Sequence, residues 1–223
     1  MASTPNSTST ARVEPVAAAP VEAEPATAAA VAAPVGEPQI LGLPIFAAGS
    51  VSLGLALVGY VPVPAQGSAL PIIFAATGIG LFVSTIWAAS LHQTMVACVF
   101  GLFTGFWWSY AALALGLRHD WFVIPAKNVD KSVALFLITW AVVMFALTLA
   151  TVRLPVVYTA VVALVVVALV LLTIGTLNTD DTMNKAAGYV SFVFAALGLY
   201  AFLSAASVAT GGRPYPLGPP LVK

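Results

Sequence analysis

The sequence predicts an all-α fold: a polytopic membrane protein with six transmembrane helices behind a disordered N-terminal tail. Three observations predict it. Of 223 residues, 61% are hydrophobic and only 7% charged, against about 25% charged in soluble domains. Eighty consecutive residues, Pro38 to Leu117, contain no Lys, Arg, Asp or Glu. Apart from Arg213 and Lys223 near the C-terminus, the charges that follow gather in three places: Arg118 to Lys131, around Arg153, and Asp180 to Lys185. A helix needs about 20 apolar residues to cross a hydrocarbon layer of about 30 Å. The uncharged stretch therefore holds three crossings, and the later clusters read as loops between further crossings.

Residues 1–36 form the tail. Twelve are Ala, five are Pro and none is aromatic, so the segment can neither sustain a helix nor bury a core. It lacks the basic start and short apolar run of a signal peptide. The six-helix domain occupies 37–212, and 213–223 is a short C-terminal tail. Span 1 covers about 41–61 and stops at Pro62-Val63-Pro64. Span 2 covers 70–91, with Pro71 in its first turn, where a missing N–H costs little. Span 3 covers 94–117. Span 4 covers 132–151, behind Asp130-Lys131-Ser132. Span 5 covers 155–176 and opens at Pro155. Span 6 covers 186–209 and is closed by Gly211-Gly212. Lipid leaves backbone groups no outside partner, which demands helices. The runs are continuously apolar rather than alternating, which argues against a β-barrel. Loop cations number three on one side (Arg153, Arg213, Lys223) and four on the other (Arg118, Lys127, Lys131, Lys185), so they leave the orientation open.

Composition also excludes functions. Eight Lys and Arg against eight Asp and Glu leave no basic face for nucleic acid. A single cysteine, Cys98, rules out an internal disulfide framework and a Cys-based zinc site. No nucleophile–base pair or metal-ligand spacing appears, and nothing calls for a cofactor. His92, between spans 2 and 3, reads as a solvated turn residue. No Asp or Glu lies inside any span, which weakens a carboxylate proton relay. The polar atoms at depth are hydroxyls, including Ser50, Thr77, Ser84, Thr104, Ser109 and Ser191. They either guide a small solute or bond back to their own helix.

Span 3 carries an aromatic block, Phe100, Phe103, Phe106, Trp107, Trp108 and Tyr110. Tryptophan normally favours the interfacial belts. Trp107 and Trp108 fall near mid-span, where both indole N–H groups want a partner: a polar pathway or a protein interface. Gly101 and Gly105, Ala201, Ala205 and Ala209, and Gly49, Gly54 and Gly59 form small-residue rows. These serve close helix packing, either within the chain or between protomers.

Ordered motifs resemble the acetate uptake transporter family, also called succinate–acetate permeases, over about 37–218. Its Asn-Pro-Ala-Pro-Leu-Gly-Leu signature stands here as Glu37-Pro38-Gln39-Ile40-Leu41-Gly42-Leu43, with Phe46 three residues on. In its Phe-Thr-Ser-Tyr-Gly-x-Phe-Trp run, Gly105 and Trp108 match, Trp107 takes the phenylalanine place and Thr104 the tyrosine place. Gly188, Ala196 and Tyr200 fit the family pattern in span 6, and Pro216-Leu217-Gly218 fits its closing element. The resemblance implies a homo-oligomer, a hexamer, in a cell membrane, each protomer with its own narrow path for acetate and related carboxylates. It also implies an apolar, aromatic constriction from a span 1 phenylalanine, a span 3 tyrosine and a span 5 leucine. Phe46 carries the first place, Thr104 stands at the second and Val165 at the third. The expected pathway set is Leu41, Gly42, Leu43, Phe46, Gly101, Thr104, Gly105, Trp107, Trp108, Val165 and Tyr200. The Ala/Val excess and scarce Lys suit a GC-rich bacterial genome. Two other readings stay open on residues alone: a channel for small neutral solutes such as urea or ammonia, and a structural membrane protein without transport.

Overall fold

The computed structural model describes Met1 and residues 36–222, so the expected tail lies, apart from its two end residues, outside the described residues. The six expected crossings are present. The helices are α1 (Gln39–Leu57), α2 (Gly80–Ser90), α3 (Thr94–Arg118), α4 (Val129–Ala150), α5 (Val156–Asn178) and α6 (Asp181–Ala209). With the segments ahead of α2, the second crossing runs Val63–Ser90. The chain is a multi-pass membrane protein.

The ends differ from expectation for identifiable reasons. α1 stops at Leu57 rather than near 61, because the chain reverses at Gly59, whose φ of +83° only glycine adopts without strain. α6 begins five residues earlier than 186. The Asp180 carboxylate accepts from the N–H groups of Thr182 (2.8 Å) and Met183 (3.4 Å) and so caps its first turn.

Span 2 departs most from a regular helix. A 3₁₀ segment, Val63–Ala69, precedes a π-helical segment, Ile72–Ile79, which leads into α2. The wider π turn lies where neighbouring helices bond across to it or through it. Trp108 Nε1 donates to the Phe74 carbonyl at 3.2 Å, and Thr77 Oγ1 donates to the Ile45 carbonyl of α1 at 3.3 Å. Gly49 and Gly78 make these approaches feasible. A Cβ on Gly49 would stand 2.5 Å from Thr77 Oγ1, and one on Gly78 would stand 2.1 Å from Trp108 Nε1.

The helices close a ring. α1 packs along α6, α6 along α5, α5 along α4 and α2 along α3, while the π segment joins α1 to α3. The α3–α4 seam is the thinnest, and aromatic rings fill it. Phe106 meets Trp140 edge-on at 5.6 Å, and Trp140 Nε1 donates to Ser109 Oγ at 3.2 Å. α4 turns Leu135, Ile138, Val142, Phe145 and Leu149 outward at helical spacing, as a helix does toward lipid or an apolar neighbour.

Several members of the small-residue rows pack within the chain, Gly49, Gly54, Gly101, Gly105 and Ala201 among them, while Gly59 meets no neighbour and Ala209 is exposed. Gly54 of α1 and Gly188 of α6 face each other, and a Cβ on either would meet the other's carbonyl oxygen at 3.1 Å. Residues 213–222 fold back over the α5 and α6 ends. The Val157 N–H donates to Leu217 O at 3.2 Å, and the Leu221 N–H donates to Val152 O at 2.9 Å. Tyr200 Oη donates to Pro216 O at 3.0 Å.

Candidate functional site

Two cavities lie among α1, α3, α5 and α6. The larger, about 110 Å³, sits where the N-terminal ends of α1, α3 and α5 meet the C-terminal half of α6. Its rim holds Gln39, Thr151 and Tyr158, with the Tyr158 hydroxyl donating to Gln39 Oε1. The smaller, about 20 Å³, lies deeper among Leu53, Trp107, Val165, Leu169 and Ser191. Phe46 and Phe103 border both cavities. Their ring centroids are 4.8 Å apart, and Phe194 stands 5.8 Å from Phe46 on the other side. All three are nearly fully buried, at 3% exposure each. Phe46 and Phe103 therefore form a wall shared by the two cavities, with Phe194 beside them on the smaller one.

Local sequence explains how the rings are held. Phe46 sits two residues after Pro44, which lacks the N–H that Ile40 O would accept in an unbroken helix. The Ser50 hydroxyl donates to the Phe46 carbonyl at 2.7 Å. Gly198 of α6 faces the ring, and a Cβ there would rest in ordinary van der Waals contact, 3.4 Å from Phe46 Cδ1.

Of the residues expected along a pathway, Leu43, Phe46, Trp107 and Val165 border these cavities. The others border neither. Leu41 is only half-buried on α1, and Gly42 receives the Phe100 ring. Gly101 faces Thr85 of the neighbouring α2, and Gly105 faces Trp140 of α4. Thr104 is buried, and its hydroxyl donates to Phe100 O at 2.8 Å. Trp108 turns to the π segment, and Tyr200 holds the C-terminal tail. The face expected from Gly101 to Trp108 is thus split, because residues four apart to one side of Phe103 point at neighbouring helices.

The ring opposite Phe46 on α3 is Phe103, one residue before the position aligned with the family tyrosine. A period of 3.6 finds it: Val96, Val99, Phe100, Phe103 and Trp107 fall on one stripe of the helix, with Thr104 and Trp108 off its edge. Phe194 gave no local signal, since only the packing of α6 along α1 brings it to Phe46.

Most of the hydroxyls bond back to their own helix, whereas Thr77 bonds across to the Ile45 carbonyl of α1. Ser50, Ser84, Thr85, Thr104, Ser109, Thr139, Thr173 and Ser191 each donate to the carbonyl four residues back, at 2.6–2.9 Å. His92 is exposed in the turn between α2 and α3. Among the described residues, no group of three or more His, Cys, Asp or Glu is placed to hold a metal.

This architecture defines a six-helix membrane protein with two apolar cavities inside its helix bundle. The chain belongs to the GPR1/FUN34/yaaH family, which matches residues 21–217. This is the acetate transporter family that the span 1 and span 3 motifs resemble. It is 26% identical over 195 residues to the glyoxylate pathway regulator of Yarrowia lipolytica, covering 84% of this chain and 71% of that protein. It is also 26% identical over 149 residues to the accumulation of dyads protein 2 of Saccharomyces cerevisiae, covering 64% of this chain and half of that one. The fold superposes on the bacterial acetate channel SatP with a TM-score of 0.72 at 22% identity, over 81% of this chain and 97% of that one.

Proposed function

We propose that each protomer passes acetate and similar short-chain carboxylates through its own bundle, across the Phe46–Phe103–Phe194 constriction. The observation that carries this reading is the pair of cavities that share Phe46 and Phe103 as their common wall. Family membership and the acetate-channel likeness support the substrate class. The apolar lining bears on the form that crosses. An unpaired carboxylate is costly to bury and tends to take up a proton instead. A two-carbon acid therefore crosses as the neutral acid, or as an anion held briefly by N–H donors. The role is transport rather than catalysis. The outward apolar faces suit assembly into a homo-oligomer, a hexamer by family resemblance.

The test is influx of labelled acetate and urea into proteoliposomes at neutral pH, where acetate is almost wholly ionised and the bare bilayer leaks least. Saturable acetate influx above that of empty liposomes is expected. Urea influx with no acetate influx favours the neutral-solute reading, and neither favours a structural protein.

Placement of Thr104 gives a separate expectation. Its hydroxyl bonds back to Phe100 O and borders neither cavity. Thr104→Val should therefore leave acetate flux within about twofold, and stability within about 1 kcal/mol. A large change in flux would place the α3 contribution at 104 rather than 103.

A further inference from the structure

We propose that the indole N–H of Trp107 is the hydrogen-bond donor that receives the carboxyl group once it has passed the aromatic constriction. The inference rests on the carboxylate-transport reading above. Trp107 is 1% exposed and borders the inner cavity. Its Nε1 is buried with no hydrogen-bond partner. Buried polar groups are nearly always paired, so an orphaned donor in a wall of carbon needs an explanation. Neighbouring indoles do not share its state, since Trp108 donates to Phe74 O and Trp140 to Ser109 Oγ. The packing that fixes the Trp107 ring is apolar or edge-on, with Phe106 at 5.1 Å and Tyr110 at 6.4 Å, so it supplies no acceptor.

The inner cavity is otherwise poor in polar atoms. Ser191 Oγ borders it, but its proton is given to Ala187 O at 2.9 Å. A carboxyl group arriving there finds one free donor, Trp107 Nε1. At about 20 Å³ the space holds roughly one water. A two-carbon acid enters only as Phe46 and Phe103 turn toward the larger cavity, which both rings also border. Ring movement and capture by Trp107 are therefore two parts of one step.

The experiment is the concentration dependence of acetate influx in proteoliposomes for the native protein, for Trp107→Phe, and for replacement of Trp107 by β-(3-benzothienyl)alanine. The last keeps the bicyclic shape and exchanges only N–H for sulfur, so it remains informative if Trp107→Phe folds poorly. Loss of a hydrogen bond to an ionised group should raise the half-saturating acetate concentration about tenfold or more in both variants. A structural role would lower the maximal rate and leave half-saturation unchanged, and that result overturns the inference while acetate transport stands. Absence of saturable acetate influx in the native protein overturns the transport reading and this inference with it.

Discussion

Phe46→Ala should raise maximal acetate flux and increase the flux of longer carboxylates relative to acetate. The ring is the wall shared by the two cavities, and it contacts Phe103 and Phe194 on either side. Its removal joins the cavities and leaves a single ring pair beside a wider opening. A flux increase of roughly tenfold corresponds to a barrier lowered by about 1.4 kcal/mol. Truncating a buried phenylalanine also costs stability, about 3–5 kcal/mol in well-packed cores. The cost here should fall at the low end, because Phe46 already borders open space on two sides. Labelled flux of acetate and of a six-carbon acid, with thermal unfolding of the purified protein, checks both halves. Unchanged flux with unchanged size selection would remove Phe46 from the constriction.

Gly188→Val should have the largest effect on the fold itself. A Cβ at Gly188 falls 2.9 Å from Val58 Cγ1, 3.0 Å from Leu57 Cβ and 3.1 Å from the Gly54 carbonyl oxygen. Two of these are backbone or backbone-proximal atoms that cannot swing aside. In lipid, helix association depends on close packing rather than on a hydrophobic force, so the crossing has little to replace it. Overpacking of this kind costs about 1–3 kcal/mol, roughly 2–12 °C in unfolding temperature for a protein of this size. Spreading α1 from α6 also draws Phe46 away from Phe194, so transport should become less selective as well as scarcer. Gly101→Ala is the control. Its Cβ would stand 3.3 Å from a Thr85 methyl, which can yield, and it should be nearly silent. Equal damage from both substitutions would contradict the account of the α1–α6 crossing.

The six crossings were legible because each is a long uncharged run, and most ends are marked by charge, proline or glycine, a signal carried wholly by local sequence. The interior of span 2 was not. Its π segment is set by Trp108 and Thr77 bonding across helices, which no local pattern announces. The cavity lining was legible in part. Phe46 and Val165, named through motif resemblance, and Trp107, named for the oddity of an indole at mid-span, border the cavities. Phe103, which borders both cavities where Thr104 borders neither, was not named, because alignment on Gly105 and Trp108 fixes register by identity, whereas the face a residue presents follows helical period. Phe194 and the 110 Å³ cavity arise from tertiary convergence of four helices. Gly105 and Tyr200 carry family-like identities and Gly101 completes a small-residue pair with Gly105, yet they serve helix contacts and the C-terminal tail.

The central claim is that solute moves inside the bundle, along the stripe of α3 that faces α1 and α5. Two adjacent residues on α3 test it. Cys98 is exposed on the outside of the bundle, and Val99 borders the larger cavity. The measurement is acetate flux before and after reaction with a small thiol reagent, in the native protein and in a Cys98→Ser, Val99→Cys variant. The account predicts that modification at 98 leaves flux intact, that modification at 99 blocks it, and that acetate slows the reaction at 99. Blockage by modification at 98 alone, or full flux through protein modified at 99, would contradict it.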